Sequence, residues 1–99
     1  MARYRITSWK AIPSLVEAID GDQVARRPLS QRFQDLIDVV AMREGGSDSE
    51  TYLEGWEQGP EVERPGSPQW VADVVADELE AGFDDVATAR LRPRADGPA

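Results

Sequence analysis

Residues 3–29 run Arg3-Tyr4-Arg5-Ile6-Thr7-Ser8-Trp9, Lys10-Ala11-Ile12-Pro13-Ser14, Leu15-Val16-Glu17-Ala18-Ile19, Asp20-Gly21-Asp22, Gln23-Val24-Ala25-Arg26-Arg27-Pro28-Leu29. The first run alternates and is made of strand-forming residues. Tyr4, Ile6 and Ser8 fall on one face of it. Arg3, Arg5, Thr7 and Trp9 fall on the other. Ala11-Ile12-Pro13 interrupts the pattern, because proline cannot donate to a sheet ladder. Leu15–Ile19 predicts a second strand. Asp20-Gly21-Asp22 is a tight-turn signal, and Gln23–Leu29 returns as a third strand. Pro28 limits the end of that strand or marks it as an edge. Three short strands with short connections predict an antiparallel meander.

The rest of the chain changes period. Ser30 suits a helix N-cap, and Phe33, Leu36, Ile37 and Val40 recur at helical spacing. This helix is expected to end near Glu44, at Gly45-Gly46. Ser47-x-x-Glu50 has the form of a capping box. Tyr52, Leu53 and Trp56 then make an apolar stripe on a second helix, stopped by Gly59-Pro60. Glu61–Arg64 reads as extended, either a loop or a short edge strand. Ser67-Pro68 places an N-cap before a proline at the first helical position. Trp70, Val71, Val74, Val75, Ala76 and Leu79 follow as a third helix running to about Phe83. Asp84–Leu91 continues as a further helical turn. The expected fold is α+β: a three-stranded antiparallel meander at the N-terminus packed against about three helices. Residues 1–91 are expected to form one domain. Residues 92–99 lack an apolar anchor and are expected to be a disordered tail.

Composition removes many chemistries. The 99 residues contain no histidine, cysteine or asparagine. Histidine-dependent triads, thiolate or imidazole metal sites and disulfide frameworks therefore have no residues to work with. Asp20-Gly21-Asp22 opens like a calcium loop, but Ala25 and Gln31 occupy the positions that need glycine and glutamate. Gly45-Gly46 lacks the lysine of a phosphate loop and suits a helix end. Asp73 with Asp77, and Glu80 with Asp84, share helix faces at four-residue spacing. They are expected to be a solvated face; a magnesium-dependent enzyme built on them ranks last. No metal and no cofactor is expected.

Charge is unevenly spread. Residues 1–32 hold six basic and three acidic side chains, whereas residues 33–99 hold five basic and sixteen acidic, for a formal net charge of −8. That balance argues against nucleic-acid or anionic-membrane binding, which needs a basic patch on the bound face. No apolar run is long enough to span a bilayer, and no secretory leader pattern follows Met1. The expected compartment is the cytoplasm.

The order of motifs resembles a known family. Tyr4-Arg5-Ile6-Thr7-Ser8-Trp9-Lys10-Ala11-Ile12-Pro13 is similar to the opening strand and Trp-Arg/Lys-x-Ile-Pro start of the small bacterial "virulence factor" domain. That domain also occurs at the end of conserved virulence factor C proteins. The Phe33 to Arg43 segment, the Tyr52 to Trp56 segment and Glu78-Leu79-Glu80-Ala81 look similar as well. The resemblance implies an accessory protein of one-carbon, folate- and corrinoid-linked methyl transfer. It implies no catalytic residues.

Two arrangements compete for the basic residues. In one, Tyr4 and Ile6 face the helices, and Arg3, Arg5 and Trp9 look outward. Arginine and tryptophan are enriched at binding hot spots. In the other, Trp9 packs over a sheet edge and the arginines pair with the acidic helices. Arg26, Arg27 and Arg32 cluster at the strand-to-helix junction, where they suit carboxylates or phosphates or pair internally. Trp56 and Trp70 are expected in the core. The leading expectation is a non-catalytic interaction module with Arg3, Arg5, Trp9, Lys10, Arg26 and Arg27 as contacts. Its partner would be another protein, a methyl-transfer enzyme if the resemblance extends that far, or a second copy paired through a sheet edge. The alternative is a small anionic-ligand-binding protein using the same side chains.

Overall fold

A computed structural model describes residues 1–43 and 49–91. The elements in chain order are β1 (Ala2–Trp9), β2 (Ile12–Asp20), β3 (Gln23–Pro28), α1 (Gln31–Arg43), α2 (Ser49–Glu54), β4 (Trp56–Gln58), β5 (Val62–Arg64), α3 (Pro68–Ala81) and α4 (Phe83–Leu91). The expected meander is present: β1 pairs with β2 and β2 with β3, all antiparallel. Two short strands then extend it. β4 and β5 share the outer edge of β1, β4 opposite Thr7–Trp9 and β5 opposite Ala2–Tyr4. Between them the Gly59 N–H donates to the Ile6 carbonyl at 2.9 Å, so the middle of that edge is also engaged.

The hairpins use two kinds of turn. Asp20 pairs with Gln23, leaving Gly21-Asp22 as the two-residue loop, and Gly21 has φ 60°. Glycine reaches that region at no steric cost. Trp9 pairs with Ile12, leaving Lys10-Ala11, with φ 44° and 73°. Two successive positive φ values match the right-handed twist of a hairpin. For residues with a Cβ they cost about 1–2 kcal/mol each. β2 therefore begins at Ile12 and includes Pro13, so the ladder runs on where Ala11-Ile12-Pro13 predicts a break.

Two apolar clusters make up the core. In the first, Ala2, Val16, Ala18 and Ala25 of the sheet meet Val71, Ala72, Val75 and Ala76 of α3, with Tyr4, Ile6 and Leu79 packed at its margin. The second gathers where β1 ends and β2 begins. There Trp9 and Ile12 meet Phe33, Leu36, Ile37, Val40 and Ala41 of α1, flanked by Tyr52, Trp56 and Phe83. Leu29 touches both. Helix α3 starts as its sequence predicts: the Trp70 N–H donates to Ser67 Oγ at 3.2 Å, with Pro68 in the first turn. Gly82 then separates α3 from α4. The Gly45-Gly46 stop, the Ser47 capping position and the tail at 92–99 lie outside the described residues.

Several expectations are corrected. Trp56 is not on a helix; α2 ends at Glu54, and Trp56 is a half-buried residue of β4. The Tyr52–Trp56 spacing suits a helix, but Gly55 ends it early. A Cβ at Gly55 would lie 2.3 Å from Nε1 of Trp9, so the backbone must pass against that ring. Leu53 is exposed rather than part of a buried stripe. Trp70 is 53% exposed and lies over Gly66, whose missing Cβ would sit 2.6 Å from the ring. It belongs to the first turn of α3, beside the core stripe rather than on it.

Candidate functional site

Cross-strand register decides which side chains share a face, since successive residues alternate. Tyr4 lies opposite Ala18 and Ala18 opposite Ala25; Ile6 lies opposite Val16 and Val16 opposite Arg27. These rows face α3. The alternate rows face away from it. Arg3 is opposite Ile19, which is opposite Val24. Arg5 is opposite Glu17, which is opposite Arg26. On this side Arg3 is 61% exposed, Arg26 69% and Val24 57%.

Glu17 organises the centre of this face. It is buried, yet it carries a carboxylate, and such a group needs charged partners. Arg26 Nε donates to its Oε2 at 3.1 Å, and Arg5 Nε lies 3.9 Å from Oε1. At that distance Arg5 Nε is buried without a hydrogen-bond partner. Two guanidiniums against one carboxylate leave the row with an excess positive charge. Arg3 approaches Glu61 at 3.9 Å between two exposed side chains. Such a contact adds little stability and is easily exchanged.

The six residues expected to form one surface divide four ways. Arg3, Arg5 and Arg26 share the outward face. Arg27 lies on the α3 side, where it donates to Asp73 Oδ1 at 2.9 Å and approaches Asp77 at 3.9 Å. Trp9 is fully buried, with its Nε1–H donating to the Tyr52 carbonyl at 2.7 Å. Lys10 is at the hairpin turn, its Nζ 5.1 Å from the centre of the Trp9 ring and its backbone N–H donating to the Gly55 carbonyl. Trp9 keeps the alternation of β1, because the extra residue at the β1–β2 register shift is Ser14 of β2; it is buried because Phe33, Ile37 and Val40 of α1 pack on it. Trp56 of β4 pairs opposite Trp9, and Tyr52 of α2 stacks on the Trp9 ring at 5.9 Å, so that end of the sheet is covered.

Three of the four helix carboxylates expected to be solvated also take partners, while Asp84 is exposed. Besides Asp73 and Asp77, Glu80 accepts from Ser30 N–H at 2.6 Å, Ser30 Oγ–H at 2.8 Å and Arg32 Nη2 at 3.0 Å. The Ser30 hydroxyl thus donates its hydrogen bond to Glu80, and the start of α1 is held by a carboxylate from the end of α3. Burial pushes the Glu80 carboxyl up. The hydrogen bonds from Ser30 and Arg32 outweigh it and hold the group below its ordinary value. Arg64 grips Glu78 with two bonds, at 3.0 and 2.9 Å, and keeps that carboxyl low. Among the described residues, no group of three or more acidic side chains is placed to hold a metal ion. None of the described helices is long and apolar enough to cross a membrane.

The family comparison falls on this geometry. Residues 7–91 match the family model described as "virulence factor". The chain belongs to the virulence factor family. No curated protein and no solved structure matches it. The matched span takes in the Trp9-Lys10-Ala11-Ile12-Pro13 turn and Arg26, and begins after Arg3 and Arg5. In this member the Trp-Lys-x-Ile-Pro stretch is a structural device. Its tryptophan fills the second cluster, its two middle residues make the strained turn, and Ile12 completes the packing.

Proposed function

We propose that the chain is a non-catalytic interaction module that docks another protein through the sheet face bearing Arg3, Arg5 and Arg26. The supporting observation is the Arg5–Glu17–Arg26 row. Its two guanidiniums outnumber the one buried carboxylate between them, on a chain of net charge −8, and Val24 is exposed beside them. Guanidinium groups held in a fixed row suit the carboxylates of an acidic protein surface. The paired carboxylate keeps the side chains extended, so less side-chain entropy is lost on docking. The resemblance noted above makes an enzyme of one-carbon methyl transfer the first partner to try.

The test is quantitative native mass spectrometry of the complex recovered from the protein's own cells. The unaltered chain should carry a stoichiometric second protein. The pair Arg3→Glu with Arg26→Gln leaves Arg5 to neutralise Glu17 and should keep the same thermal midpoint. Affinity for the recovered partner should fall roughly tenfold or more. Undiminished binding by that double variant would remove this face from consideration.

A further inference from the structure

A second surface lies on helices α1 and α4 and uses none of the arginines of the sheet face. Helices α1 and α4 form an open groove of about 290 Å³ lined by Leu36, Val39, Phe83, Ala87 and Leu91, with Arg32 at one end. Val39 is 45% exposed and Met42, beside it on α1, 75%. Asp35, Val39 and Met42 recur at four and then three residues, so they form one ridge on the outer side of α1.

Charge selects the occupant. Asp35 lies four residues before Val39, and Arg43 lies four residues after it. Within one chain they are eight residues apart, roughly 12 Å along the helix, and do not meet. Asp35 accepts from the Gln31 amide at 3.1 Å and Arg43 donates to the Leu91 carbonyl at 3.2 Å, neither of them a charged group. If two copies of α1 cross antiparallel at Val39, each Asp35 stands opposite the other copy's Arg43. Met42 then stands opposite Leu36, which lines the groove. A two-fold contact needs a patch that complements itself, and this ridge does so in charge and in shape. We propose that α1 and α4 form a homodimer interface in which α1 packs antiparallel on its copy about Val39, with Met42 inserted in the opposing groove.

This surface is independent of the arginine face, so either can fail alone. The test is sedimentation equilibrium of the full chain over a range of concentrations. Unaltered protein should sediment as a dimer, and Val39→Glu as a folded monomer. Asp35→Lys and Arg43→Glu should each weaken dimerisation about tenfold or more, which is about 1.4 kcal/mol. Combining the two should restore it to within a few-fold, because each reversed charge again meets its opposite on the other copy. Circular dichroism confirms that each variant is folded. A monomer at every concentration overturns the proposal. So does a dimer indifferent to Val39→Glu, or a double variant no better than its parents.

Discussion

Trp9 and Gly55 illustrate how much of the fold hangs on single positions. The indole is wholly buried, and the Gly55 backbone passes where no Cβ fits. A Cβ at 2.3 Å cannot be accommodated by a small rotation, because Nε1 is also tied to the Tyr52 carbonyl. Gly55→Ala is therefore expected to destabilise the protein by about 1–3 kcal/mol, the usual cost of overpacking, as read by urea denaturation. An unchanged midpoint would mean that the ring moves freely. Neither partner of this contact could be found from sequence alone. Period-two alternation puts Trp9 on the side of Arg3 and Arg5, and only the long-range packing of α1, Tyr52 and Trp56 over that end of the sheet buries it. Lys10-Ala11 conceals its turn too, because it lacks the glycine or asparagine that announces such turns. Gly21, Ser67 and Pro68 were legible because each is the residue its local geometry demands.

Between elements, long-range ion pairs do the joining. Glu80, near the end of α3, satisfies the Ser30 N–H at the start of α1, where a negative charge also suits the helix dipole. Arg32 adds a bond to the Glu80 carbonyl and lies 4.5 Å from the Phe83 ring centre, linking α1 to α4. Because the folded Glu80 carboxyl titrates below its ordinary value of 4.5, its contribution is complete above that value. It is lost as pH falls through the folded value. Glu80→Gln should cost about 1 kcal/mol at neutral pH, after allowance for its partial exposure. The difference between variant and parent should shrink in acid, which paired denaturation curves at pH 7 and pH 3 would show. A gap that stayed constant would assign the effect to shape rather than charge. The sequence pointed to Ser30 as a cap but not to its partner, because fifty residues separate the two. It placed the arginines near the helix junction, while their division between the two sheet faces required the register.

Over the whole molecule, the two clusters meet at Leu29. One is a sheet covered by α3, and the other is a helical group around Trp9. Hydrophobic patterning in the sequence identified most members of both, since Phe33, Leu36, Ile37, Val40, Val71 and Val75 follow the helical period. It could not separate the clusters, because periodicity says which face is buried and not against what. Leu29→Ala should cost about 2–3 kcal/mol and should lower the apparent m-value as the clusters begin to unfold separately. A steep single transition, shifted but not broadened, would show that other contacts hold them together.

The topology of the meander also sets an order of events during synthesis. Every pairing among β1, β2 and β3 lies within the first 28 residues, so the hairpins require nothing downstream. The apolar side of that sheet, from Tyr4 and Ile6 to Ala25, is covered by a helix that starts about forty residues later. At about 5–20 residues per second, a ribosome leaves that side bare for roughly 2–8 seconds. During translation the nascent chain is a half-finished sandwich with a greasy palm, and that interval is when a chaperone has something to hold.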